Sequence, residues 1–131
     1  MRRLLGALAL VVAGAGPAAA SHPLMEPLLT IDPASLQRLG AAGRAITLVD
    51  VRPVDAYQHG RVPGARSIPL NALVPRQREI PADAIVVLYG AEGVDEAATA
   101  YRYLRTTGYA AVFVLEGGFA GWQARGLTVE R

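Results

Sequence analysis

No cysteine occurs among the 131 residues. That absence excludes disulfides, and it excludes any reaction that needs a thiolate as nucleophile. Lysine is missing too: all 13 basic residues are arginine. Histidine occurs only at His22 and His59, too few without cysteine to build a zinc site, so no metal and no cofactor is expected. No block of like charge, internal repeat or long low-complexity run stands out. The sequence pI of 9.4 invites a nucleic-acid reading, but Arg2 and Arg3 lie at the extreme start of the chain. Without them, eleven arginines face eleven acidic residues, and a neutral domain has no electrostatic footprint for nucleic acid.

What is present begins with a secretory pattern. Arg2 and Arg3 form a positive start, LLGALALVVAGAG an apolar centre, and Pro17-Ala18-Ala19-Ala20 a run of small residues before Ser21. Residues 1–20 therefore read as a signal peptide cleaved near Ala20, and the mature protein as periplasmic or secreted. The apolar run is shorter than the ~20 residues a bilayer span takes, so no stable membrane span is expected after cleavage; retention as an anchor is the alternative. No cysteine follows the cleavage region, so lipid attachment there is excluded. Residues 21–27, with Pro23 and Pro27, read as a flexible lead-in. Residues 28–131 read as one domain, with 52% hydrophobic residues in the chain to form a core. The absence of lysine and the wealth of alanine, arginine and glycine suggest a GC-rich bacterial source.

Within that domain, Ile46–Val51, Ile85–Tyr89 and Ala111–Leu115 are short, nearly continuous apolar runs. They predict strands buried on both faces, as in a parallel sheet. Leu28–Ile31 and Ala65–Pro69 predict two shorter strands. Asp32-Pro33 predicts a helix start, with Leu36 and Leu39 on one face and Gly40 and Gly43 ending it. Pro53–His59 predicts a helical turn, Gly60–Gly64 a tight loop, and Leu70–Arg78 a helical or irregular connector with Arg76 and Arg78 solvated. Ala97, Ala100, Tyr101 and Leu104 predict a helix over about Val94–Thr107, stopped at Gly108. Gly117-Gly118 predicts a turn into a last helix over Phe119–Arg125. The alternation points to an α/β domain: a mostly parallel sheet of about five short strands with helices on both faces.

Four segments then resemble one family, the rhodanese-like domains. LVDVR (Leu48 to Arg52) looks like the family's strand ending in Asp-x-Arg. AYQHGRVPGARSIPL (Ala56 to Leu70) looks like its second signature, with Arg61 where a histidine is usual. IVVLYG (Ile85 to Gly90) matches the strand that leads into the active-site loop, and VFVLEGGFAGW (Val112 to Trp122) matches the closing strand, double glycine and tryptophan. In active members a catalytic cysteine follows that strand at once. The resemblance places Gly90 at the expected cysteine position, so it implies no catalytic residue here. The former active-site loop would be Gly90, Ala91, Glu92, Gly93, Val94, Asp95 and Glu96, which contains no cysteine, serine, threonine or arginine. Sulfur transfer needs a thiolate that attacks a sulfane sulfur and carries it as a persulfide. The related cysteine-dependent phosphatases of this fold are excluded for the same reason.

The remaining candidates divide between chemistry and support. Glu92, Asp95 and Glu96 suit the first turn of a helix, where the macrodipole favours acids, and disfavour a bound anion. Asp50 and Arg52 flank the loop and are expected to pair with neighbouring loops. His59 is expected to be solvated or capping, Arg61 to face solvent, Trp122 and Tyr101 to pack in the core. Three functional readings follow. The first is an inactive, exported rhodanese-like module that binds a protein partner or small ligand through the former active-site face. The second is an enzyme of non-thiolate chemistry using the loop carboxylates, or an accessory protein of sulfur metabolism. The third is a structural remnant without a ligand.

Overall fold

The computed structural model describes residues 26–131. The predicted signal peptide, its cleavage point and His22 lie outside the described residues. The three apolar runs form the middle of a parallel sheet: β2 (Ile46–Asp50), β4 (Ile85–Tyr89) and β5 (Val112–Leu115). Two short strands close its edges, β1 (Thr30–Ile31) beside β5 and β3 (Arg66–Ser67) beside β2. The order is β1-β5-β4-β2-β3, and every pairing is parallel. Both edge strands are shorter than predicted. An edge strand is paired on one side only, so fewer of its residues are drawn into the ladder.

Helices α1 (Pro33–Ala41), α2 (Val54–His59), α3 (Leu73–Arg76), α4 (Asp95–Thr106) and α5 (Gly118–Ala124) connect or follow the strands, with 3-10 turns at Leu70–Ala72 and Gln77–Glu79. Asp32 caps α1 by accepting the Ser35 N–H at 3.2 Å, and Pro33 opens the helix. The Ser35 hydroxyl and amide hold the Asp32 carboxyl below its ordinary range. Gly40, predicted to help end this helix, lies inside its last turn. The chain turns away at Gly43, φ 74°, where Arg44 N–H returns to Leu39 C=O at 3.1 Å, the αL stop.

The sheet separates two apolar layers. On one side Leu36 of α1 and Phe119 and Trp122 of α5 pack on Leu48, Val87, Tyr89 and Leu115. On the other, Leu73, Ile80 and the Ala97, Ala100, Tyr101 and Leu104 stripe of α4 pack on Val49, Val86, Leu88 and Val114. Tyr89, Tyr101 and Tyr109 are buried in these layers, so they offer no aromatic binding surface. Among the described residues no helix is long and apolar enough to cross a membrane.

Candidate functional site

All strands point the same way, so their carboxyl ends gather on one edge of the domain, where ligand crevices form in open parallel sheets. The loop after β4 opens at that edge. Its first residue, Gly90, is buried, and the chain then passes through exposed Ala91, Glu92 and Gly93 to half-buried Val94 and the start of α4. The loop is fastened to the start of α5: Phe119 N–H donates to Gly90 C=O at 2.9 Å and Ala120 N–H to Ala91 C=O at 2.8 Å. Gly117 and Gly118 both have positive φ, 79° and 60°. A Cβ on Gly118 would stand 2.9 Å from both Gly90 O and Glu92 N, so only glycine lets the two segments lie this close.

Asp95 and Glu96 occupy the first turn of α4, as the macrodipole favours. Glu96 does more than face solvent. It is half-buried, and its Oε1 accepts the Ala91 N–H at 3.0 Å. A Cβ on residue 90 would lie 2.5 Å from that same Oε1 and 2.9 Å from the Glu96 Cβ. The space a side chain at position 90 would claim is therefore filled by a carboxylate from within the chain. Glu92 and Asp95 remain exposed.

Asp50 and Arg52 sit at the end of β2 but turn inward. Asp50 is fully buried and Arg52 is 5% exposed. Arg52 Nη2 meets Asp50 Oδ2 at 2.6 Å, and its Nε reaches both carboxylate oxygens at 3.0 and 3.1 Å. The same guanidinium donates to Gly60 C=O at 2.6 Å and lies 4.1 Å from the centroid of the Phe119 ring. Burial opposes its charge, but the Asp50 carboxylate outweighs that and holds Arg52 above its usual pKa. Tyr89, at the end of β4 and in register with Asp50 of the adjacent β2, accepts the Val62 N–H at 3.1 Å through its hydroxyl. Burial and the adjacent Asp50 carboxylate push its pKa well above the ordinary phenol value. The cluster of Asp50, Arg52, Tyr89 and Phe119 thus clamps the 60–64 loop from beneath. Its polar groups are engaged with one another rather than open to a ligand.

That loop is held from outside as well. Arg61, predicted to face solvent, stacks 4.5 Å over the Tyr57 ring and pairs with Glu130 at 3.5 Å. Its planar cation gains from both contacts, which draw it down onto the surface. Gly64 N–H donates to Glu130 Oε1 at 3.0 Å. His59 is exposed, and its Nδ1 lies 2.7 Å from Asp55 C=O one helical turn back. No group of three or more histidine, aspartate or glutamate residues that could hold a metal occurs among the described residues.

Next to the loop, on the α4 side of the sheet, a cleft of about 510 Å³ opens between the first turn of α2 and the Pro69–Asn71 segment. Val51, Pro53, Val54 and Leu70 form apolar wall, and the acidic residues Asp55 and Glu96 line it as well. Of the loop and flanking residues singled out from sequence, only Glu96 lines this cleft. Asp55 was missed because nothing local marks it. It comes near Glu96 only because β2 and β4 are neighbours in the sheet. Phe119 and Tyr89 were likewise not legible as supports of the Asp50–Arg52 pair.

Residues 32–125 match the family model described as Rhodanese-like domain. An HTH-type transcriptional regulator of Mycobacterium tuberculosis, Rv0324, is 40% identical over 114 residues, covering 86% of this chain and 49% of the regulator; the chain thus spans about half the length of that relative. A protein of Allochromatium vinosum named sulfurtransferase is 34% identical over 99 residues, covering 76% of this chain and 92% of that protein. The crystal structure of the Alr3790 protein from Anabaena superposes with a TM-score of 0.70 at 32% identity, covering 76% of this chain and 79% of that one.

Proposed function

The chain belongs to the rhodanese-like domain family, and on that premise we propose that it is a member without sulfurtransferase activity, exported from a bacterial cell, that acts by binding a protein partner through the face where active members carry their cysteine. One observation carries this reading: the Glu96 carboxylate occupies the side-chain space of position 90 and takes the Ala91 N–H that borders it. With no cysteine anywhere in the chain, no thiolate is available to accept sulfur. A carboxylate in that place also repels thiosulfate and other anions. Two of the three loop carboxylates serve its architecture, Glu96 by bonding to the backbone and Asp95 at the helix start, which favours a binding role over acid–base chemistry. Export rests on the pattern of residues 1–20, and the mature chain would then begin at Ser21.

The deciding experiment is a thiosulfate-to-cyanide assay of the purified chain beside an active rhodanese. The expected result is no turnover above background. Turnover would mean that a group other than cysteine handles sulfur, and the reading would fall. Mass spectrometry of the protein from the periplasmic or secreted fraction is expected to find Ser21 at the N-terminus. An intact Met1 start in a membrane fraction would replace export with anchoring.

A further inference from the structure

Building on the reading of a non-catalytic binding module, we propose that the cleft beside the loop receives one protruding basic side chain, arginine or lysine, from the partner protein. The carboxylates of Asp55 and Glu96 would meet its charged end, and Val51, Pro53, Val54 and Leu70 its aliphatic stem.

Charge and wall chemistry agree on this occupant, and the cleft has room for it. A volume of about 510 Å³ falls in the range of ligand-binding clefts. The ion pairs among the described residues engage Asp50, Glu130, Glu79 and Glu26. Neither Asp55 nor Glu96 has an arginine partner among the described residues. Glu96 is anchored by one oxygen to Ala91 N–H, which fixes its position at the cleft without neutralising it. Two uncompensated carboxylates beside apolar wall match a side chain that is apolar along its length and cationic at its tip. An anion is repelled by them. A wholly apolar occupant would strip water from both carboxylates and give nothing back. Val54, 52% exposed at the rim, adds apolar surface for a residue next to the inserted one.

The test uses the full chain, isotopically labelled, titrated with a blocked pentapeptide that has one arginine between two leucines. Its counterpart with glutamate in place of arginine serves as the control. Backbone amide shifts are read by NMR. The expected result is saturable shifts at Val54, Asp55, Leu70 and Glu96 with the arginine peptide and none with the glutamate peptide. The double variant Asp55→Asn/Glu96→Gln should weaken binding roughly tenfold or more, the effect of losing charge-assisted hydrogen bonds. Glutamine at 96 still accepts the Ala91 N–H, so an unchanged spectrum away from the cleft confirms that the variant folds. Equal binding of both peptides, equal binding by the double variant, or no shift at these amides at millimolar peptide would each overturn the proposal. Binding centred on the 60–64 loop would overturn the cleft assignment yet leave the binding-module reading standing. Thiosulfate turnover by the unaltered chain would remove that reading itself.

Discussion

Glu96 is the residue on which the site turns, because it fills the place of a nucleophile and faces the cleft. Restoring the cysteine alone should therefore fail. In a Gly90→Cys variant the new Cβ meets the Glu96 carboxylate, which must shift yet stays beside the thiol and raises its pKa. No sulfurtransferase activity is expected from that variant. Adding Glu96→Ala should speed its alkylation by iodoacetamide at neutral pH, approaching tenfold for each unit by which the thiol pKa falls. Strong activity in Gly90→Cys alone would show that the Glu96 carboxylate does not occupy the space beside position 90. Beneath the loop, Asp50 balances a buried guanidinium. Asp50→Ala should cost about 3–5 kcal/mol in urea unfolding, since it leaves the Arg52 charge without its counterion. Tyr89 gives a pH signature. Its folded pKa lies above the unfolded value of 10.0, so its contribution is complete below that value and declines as pH rises past it, where the unfolded phenol ionises and the folded one does not. Stability measured above about pH 10 should fall with pH, and Tyr89→Phe should flatten that slope.

Among the elements, the central strands and the ends of the helices were readable for local reasons. Ile85–Tyr89 is a strand in sequence and in structure, because a short apolar run between turn residues has few other ways to bury itself. The predicted helix at Val94–Thr107 is α4 with one residue trimmed at each end. The edge strands were overextended because their lengths depend on how much neighbouring strand is available. Gly117-Gly118 predicts a turn, but sequence does not reveal that this turn supports another loop. Gly118→Ala tests the link: positive φ and 2.9 Å contacts to two backbone atoms should cost about 1–3 kcal/mol. The amides of Gly90, Ala91 and Glu92 should shift with it. A neutral substitution would mean that α5 does not hold the loop.

Across the whole molecule, the C-terminal tail ties distant parts together. Arg61 and Glu130 exchange backbone hydrogen bonds at 2.9 Å each, Glu130 Oε1 takes Gly64 N–H, and Thr128 C=O accepts the Trp122 indole N–H at 2.8 Å. Truncation after Gly126 removes four hydrogen bonds and should therefore destabilise the chain by about 2–6 kcal/mol in urea unfolding, at ~0.5–1.5 kcal/mol for each lost bond, with the largest amide changes at Arg61–Gly64. The sequence by itself determined the α/β class, the parallel sheet core and the absence of thiolate chemistry, because apolar periodicity and composition are properties of the chain read in order. Tertiary structure alone decided that Glu96 folds back into the place of a missing side chain, that Asp50 and Arg52 are spent on each other, and that Asp55 shares a cleft with Glu96. Each of these depends on which strands become neighbours and which way a side chain turns, and neither is written in the spacing of residues.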